Sequence, residues 1–113
     1  MKWNSLRSLE QIDQLKTESK QAPVLIFKHS SRCNISRTTL DRLERNWREE
    51  ELPEVKLYFL DLLTYRNISD TIATEFQVEH ESPQVVIIRN EKATYDESHF
   101  GIDYGRIRDV IKS

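Results

Sequence analysis

Apolar residues recur along this chain in helical and strand rhythms that mark out its elements. Leu9, Ile12 and Leu15, separated by Glu10, Asp13 and Gln14, predict an amphipathic helix with Ser8 as its N-cap. The polar stretch from Lys16 to Ala22 stops at Pro23 and reads as a connection. Upstream, Trp3 and Leu6 fit a short extended edge segment, with Trp3 a core residue. Val24-Leu25-Ile26-Phe27 shows no alternation, as expected of a strand covered on both faces. Leu40, Leu43 and Trp47 then fall at i, i+3 and i+7, with Arg42, Glu44, Arg45 and Arg48 between them. They predict a helix of roughly four turns starting near Ile35, with Ser30 or Ser31 as its N-cap. Glu49, Glu50 and Glu51 lie at the wrong end of that helix's dipole, so it should fray before Pro53.

Val55, Leu57 and Phe59 alternate with Lys56, Tyr58 and Leu60, predicting a strand closed by Asp61. Ile68, Ile72 and Phe76 mark a short helix introduced by Asn67 or Ser69. Residues Gln77 to Ser82 form a polar approach to Pro83, and Val85-Val86-Ile87-Ile88 is the second fully buried run. Arg89 to Lys92 makes a turn, Ala93 to His99 a polar strand suited to a sheet edge, and Tyr104 to Ile111 a last helix with Ile107, Val110 and Ile111 inward. Strands joined through a helix should be parallel and right-handed, while the short turn after Ile88 makes the last pair antiparallel. The expected class is α/β, with a mixed central sheet covered by helices on both faces, in thioredoxin-like topology.

At 113 residues the chain fits one domain, 1–113. Lysine and arginine total 17 against 19 acidic residues, a net charge of −2, which argues against a nucleic-acid footprint. No apolar stretch approaches the ~18 residues of a membrane span. The N-terminal Met1-Lys2-Trp3-Asn4-Ser5 lacks a signal peptide's apolar core. A cytoplasmic monomer is expected, without membrane or nucleic-acid partners. A single cysteine excludes an internal disulfide. His29 and Cys33 alone do not make a metal site, and His80 and His99 stand at no ligand spacing to them.

Cys33 is the candidate for chemistry. It follows Ser30-Ser31-Arg32 at a strand-to-helix turn, where unpaired backbone N–H groups and the positive end of the helix dipole favour thiolate. Arg32 adds a charge next door. A thiol of pKa about 8.5 is only about 3% thiolate at pH 7, and lowering it to roughly 7 makes that about half. Lone intracellular cysteines are commonly small buried hydrophobes, but one at this position is hard to bury. Ser36, three residues on, is placed to turn its hydroxyl toward the sulfur. It also stands where a dithiol oxidoreductase carries its second cysteine, so a disulfide captured by Cys33 must be resolved by an outside thiol. Ser82-Pro83, directly before the second buried run, is the X-Pro bond best placed to be cis.

The stretches Phe27-Lys28-His29-Ser30-Ser31-Arg32-Cys33-Asn34-Ile35-Ser36, Tyr58-Phe59-Leu60-Asp61-Leu62, Tyr65-Arg66 and His80-Glu81-Ser82-Pro83-Gln84-Val85 together resemble the YtxJ-type monothiol bacilliredoxins of the bacillithiol system. The resemblance runs over nearly the whole chain. It implies a thioredoxin-like bacterial protein that removes bacillithiol from S-bacillithiolated client proteins through Cys33. No cofactor is tightly bound in that picture: free bacillithiol acts as thiol co-substrate, and a separate NADPH-dependent flavoenzyme reduces the bacillithiol disulfide formed. Arg32, Asn34, Ser36, Ser82 and Pro83 would line the substrate groove. Bacillithiol carries a malate carboxylate pair, for which Arg32, Lys28 or protonated His29 would be counter-charges.

Two other functions fit the same residues. One is a non-catalytic thioredoxin-fold binding module in which the Ser82-Pro83 groove docks a protein strand; the other is a redox sensor that bacillithiol merely modifies. A cluster-binding monothiol glutaredoxin fits less well, since it has Gly-Phe where this chain has Asn34-Ile35.

Overall fold

A computed structural model describes residues 1–113. Five strands, β1 (Asn4–Ser5), β2 (Val24–His29), β3 (Lys56–Asp61), β4 (Gln84–Arg89) and β5 (Lys92–Ser98), form one sheet in the spatial order β1-β3-β2-β4-β5. Around it stand α1 (Glu10–Glu18), α2 (Asn34–Asn46), α3 (Arg66–Phe76) and α4 (Tyr104–Lys112), with a 3-10 turn at His99–Gly101.

The unbroken apolar run of β2 makes it the central strand. Its pleat sends Val24 and Ile26 into one core with Ile12 and Leu15 of α1 and Ile68, Ile72 and Phe76 of α3. Leu25 and Phe27 point the other way, into a second core with Leu43, Trp47, Ile107 and Ile111 beside α2 and α4. Each such side chain, fully buried, contributes roughly 1.5–3 kcal/mol over leaving it exposed. The predicted class, a mixed sheet with helices on both faces, is what the chain forms. No helix is long and apolar enough to cross a membrane.

Several local expectations are corrected. β3 keeps the expected alternation but between two cores, not between core and solvent: Tyr58 and Leu60 enter the first, Leu57 the second, and Phe59 packs against that second core. Both faces of β3 are covered because it lies inside the sheet, with the two-residue β1 pairing outside it in parallel. β4, although joined to β3 through a helix, runs antiparallel to β2, Val24 opposite Ile88 and Lys28 opposite Gln84. The segment after α3 carries the chain back to the edge where β3 ended, so β4 starts beside the end of β2.

Helix starts also differ from expectation. Leu9, at 49% exposed, occupies the N-cap position of α1 and takes no part in its buried stripe. Ser8 does not cap with its side chain; instead the Gln11 carboxamide oxygen accepts from the Arg7 and Ser8 backbone N–H groups at 2.6 and 3.0 Å. α3 begins at Arg66 after Tyr65, so neither Asn67 nor Ser69 introduces it, and Ser69 is fully buried inside the helix. α2 stops at Asn46, and an irregular stretch covers the three glutamates before Pro53.

Candidate functional site

β2 ends at His29, and the chain turns through Ser30 to Cys33, whose backbone N–H donates to the Ser30 carbonyl at 3.1 Å. Neither Ser30 nor Ser31 caps α2. Cys33 itself is the N-cap, with extended backbone (φ −104°, ψ 118°), and its carbonyl accepts from Arg37 N–H at 3.1 Å. The side chain is partly exposed. It stands at the helix end where first-turn N–H groups lack intrahelical partners and negative charge is favoured; no acidic residue in that first turn opposes the effect.

Arg32 and Asn34 are both exposed beside it. Arg37 Nη2 donates to Asn34 Oδ1, which brings to the rim a guanidinium that the reading of the sequence missed. The available signal was the i, i+3 spacing of the two residues on one helix face.

Ser36 is placed differently from expectation. It is fully buried, its Oγ accepts from Ser30 N–H at 3.1 Å, and the same oxygen lies 2.7 Å from His29 Nδ1. It makes no hydrogen bond to the sulfur and locks the turn that carries Cys33. Burial holds the His29 pKa below its ordinary value, Asp61 opposing and Arg37 assisting. Protonated His29 as a carboxylate counter-charge is therefore not what the structure supports.

Lys28 is corrected too. Alternation along β2 sends it to the same side as Val24 and Ile26, where it is 0% exposed and cannot reach a carboxylate in solvent. Its Nζ lies 3.4 Å from His80 Nδ1. Burial lowers its pKa to about 8, with Asp70 the main opposing influence. Of the three expected counter-charges only Arg32 is exposed.

The register that sets Gln84 beside Lys28 brings Ser82-Pro83 to the end of β2 from which the cysteine turn departs. The Ser82–Pro83 peptide bond is cis. Pro83 is buried, its carbonyl accepting from His99 N–H at 3.0 Å, and Ser82 Oγ is buried without a partner. Gln84, fully buried, holds the approach to the proline: its Nε2 donates to the Glu79 carbonyl at 3.0 Å, and its Oε1 accepts from Glu81 N–H at 3.4 Å.

Two large apolar side chains complete this edge. Leu63, 48% exposed, follows Leu62, whose N–H donates to the His29 carbonyl at 2.9 Å. Phe100, 63% exposed, follows His99 and is tied to α2 through Arg42 Nη2, which donates to the Phe100 carbonyl at 3.2 Å. Neither was singled out from sequence, because an isolated apolar residue in a polar stretch is uninformative until the fold shows its neighbours. Cys33 lines none of the larger cavities; the largest, about 540 Å³, lies at the far end of α2 between Trp47 and Arg108. No group of three or more His, Cys, Asp or Glu side chains is arranged to hold a metal ion. What this edge presents is a single accessible thiol on an open surface beside a proline turn, suited to thiol–disulfide exchange and unable to close a disulfide of its own.

Comparison with known proteins agrees with that chemistry. The family model described as monothiol bacilliredoxin BrxC matches residues 4–107. A solved structure described as a candidate oxidoreductase with a thioredoxin fold is 29% identical, with a TM-score of 0.79 over 94% of this chain and 90% of that one. Thioredoxin from Fasciola hepatica is 19% identical at a TM-score of 0.71, covering 96% of each chain. Thioredoxin from Trypanosoma brucei brucei is 18% identical at 0.71, over 98% of this chain and 88% of that one. These last two likenesses concern the fold alone.

Proposed function

Because this chain belongs to the monothiol bacilliredoxin family of thioredoxin-like thiol–disulfide oxidoreductases, we propose that it removes bacillithiol from S-bacillithiolated proteins through a Cys33 mixed disulfide. The observation that carries the reading is the pairing of a partly exposed thiol at the N-cap of α2 with a buried hydroxyl at Ser36, where a resolving thiol would have to stand.

The exchange runs in two balanced steps. Cys33 thiolate attacks the bacillithiol sulfur of the client's mixed disulfide; the client–bacillithiol S–S bond breaks as the Cys33–bacillithiol bond forms, and the client leaves as thiolate. A second bacillithiol thiolate attacks the bacillithiol sulfur held on Cys33, releases Cys33 thiolate and departs as bacillithiol disulfide. Two electrons pass from the bacillithiol pair to the client, and no internal disulfide forms at any stage. Cys33 acts as both attacking and leaving group from the N-cap of α2, a helix end at which negative charge is favoured. Arg32, exposed beside it, supplies positive charge for the bacillithiol carboxylates. In this reading the chain works as a cytoplasmic monomer with no resident cofactor.

The test is mass spectrometry of the protein incubated with a bacillithiolated client. A bacillithiol-sized adduct should appear on Cys33 as the client mass falls, and free bacillithiol should discharge it so that substoichiometric protein clears excess client. Cys33→Ala should abolish both. A wild-type chain that acquires the adduct but never turns over is a sensor, and one that never acquires it is a binding module; either result sinks the proposal.

A further inference from the structure

Lys28 and His80 form a polar contact on the side of the sheet away from α2, and the exchange steps above leave them unused. Lys28 is fully buried between Leu60 of β3 and Gln84 of β4, its partners in the sheet register. No carboxylate lies within 4.0 Å of its Nζ, and its one polar contact is His80 Nδ1 at 3.4 Å. Ser69 Oγ of α3 approaches the same nitrogen at 3.3 Å. Taking an ammonium out of water without a paired carboxylate costs several kcal/mol. Folding alone does not call for it: Val24 and Ile26 occupy the equivalent face of the same strand as hydrocarbon.

His80 belongs to the segment that leads to the proline. Gln84 secures the residues on either side of it, Glu79 through the carbonyl and Glu81 through N–H. The segment Glu79–Glu81 is thus gripped from beneath at three successive residues, and the next two are Ser82 and Pro83, beside the cysteine turn.

We propose that Lys28 is a positioning residue for the Glu79–Pro83 segment, acting through His80 to set where Ser82-Pro83 stands relative to Cys33. This rests on the proposed exchange reaction for its consequence in turnover, while the placement of the segment can be read without it. As an ammonium, Lys28 can only donate, so His80 Nδ1 is the acceptor and the imidazole carries its proton on Nε2. The charges that bear on Lys28 are Asp70 and Arg66 of α3 and Asp96 of β5; those on His80 are Lys28, Arg66, Asp70 and Glu81. Burial and the Lys28 charge both hold the His80 pKa below its ordinary value.

Lys28→Met keeps length and apolar bulk while removing the ammonium. It should fold with a Tm at pH 7 equal to or above wild type and lose about tenfold in kcat/KM for a bacillithiolated client. Its alkylation rate at Cys33 by iodoacetamide should stay within about twofold, since the sulfur's own surroundings are untouched. His80→Ala should show the same loss in turnover, and the double variant no more than either alone. Independently of activity, NMR of Lys28→Met should show His80 titrating at higher pH and about tenfold faster amide exchange at Glu81 and Ser82.

Wild-type turnover and exchange in Lys28→Met overturn the proposal, as does a loss of turnover matched by a fall in Tm, the mark of a purely structural lysine. If Lys28→Met does not fold, His80→Ala decides, and unchanged exchange at Ser82 in that variant overturns the proposal. A wild-type chain that transfers no bacillithiol sinks the function proposed above, and the NMR readouts then judge the positioning role alone.

Discussion

Ser36 stands one helical turn past Cys33, its Oγ accepting from Ser30 N–H and lying 2.7 Å from His29 Nδ1. That single hydroxyl braces the turn from inside. Ser36→Ala should cost about 1–3 kcal/mol, the price of leaving a buried N–H and an imidazole nitrogen without partners, read as a lower urea midpoint at pH 7. Ser36→Cys should change the chemistry: with a second sulfur at that position, the bacillithiol adduct on Cys33 should be expelled without added thiol, leaving a protein two hydrogens lighter by mass spectrometry. An adduct that persists until bacillithiol is supplied would show that the buried position cannot reach Cys33. At this scale Cys33 was legible because its neighbours are polar and it lies between a strand pattern and a helix pattern. The roles of Ser36, His29 and Lys28 were not, because a side chain's direction depends on the pleat and on what packs over it.

The elements were legible wherever apolar spacing repeats several times, as in β2, β4 and the inward stripe of α2. Their ends were not, because caps depend on one or two hydrogen bonds that many polar residues can make. α4 illustrates the point: Asp103, unremarked in the sequence reading, caps it by accepting from Arg106 N–H at 3.1 Å. Asp103→Ala should lower stability by about 1 kcal/mol, measured as a shift of the denaturation midpoint with an unchanged slope. Activity should follow only to that extent, since α4 packs on the sheet and does not border Cys33. The β4–β5 turn shows the same dependence on local geometry. Asn90 and Glu91 both take positive φ, 50° and 67°, the backbone of a tight hairpin whose twist matches the strands it joins.

Over the whole molecule, ionisation ties stability to alkaline pH. Lys28 has a folded pKa of about 8 against 10.5, so between those values the unfolded chain holds a proton the folded chain has released, and stability rises with pH. Tyr104, pushed up to about 12, and Tyr58, raised further, are both displaced chiefly by burial. Above pH ~10 the folded chain therefore binds more protons and stability falls. Urea unfolding across pH 7 to 11 should show a climb on the order of 1–3 kcal/mol followed by a decline, and Lys28→Met should remove the climb alone. A flat wild-type profile would refute the assignment of a charged, buried Lys28. Sequence by itself determined the class of fold, the central strands and the one sulfur able to react, since apolar periodicity and cysteine count are properties of the chain read in order. Only the tertiary structure decided that β4 runs against β2, that Ser82-Pro83 lies at the end of β2 from which the cysteine turn departs, and that Lys28 faces a closed interior while Arg32 faces solvent. Those outcomes depend on which distant segments share a side of the sheet, and no local pattern carries that information.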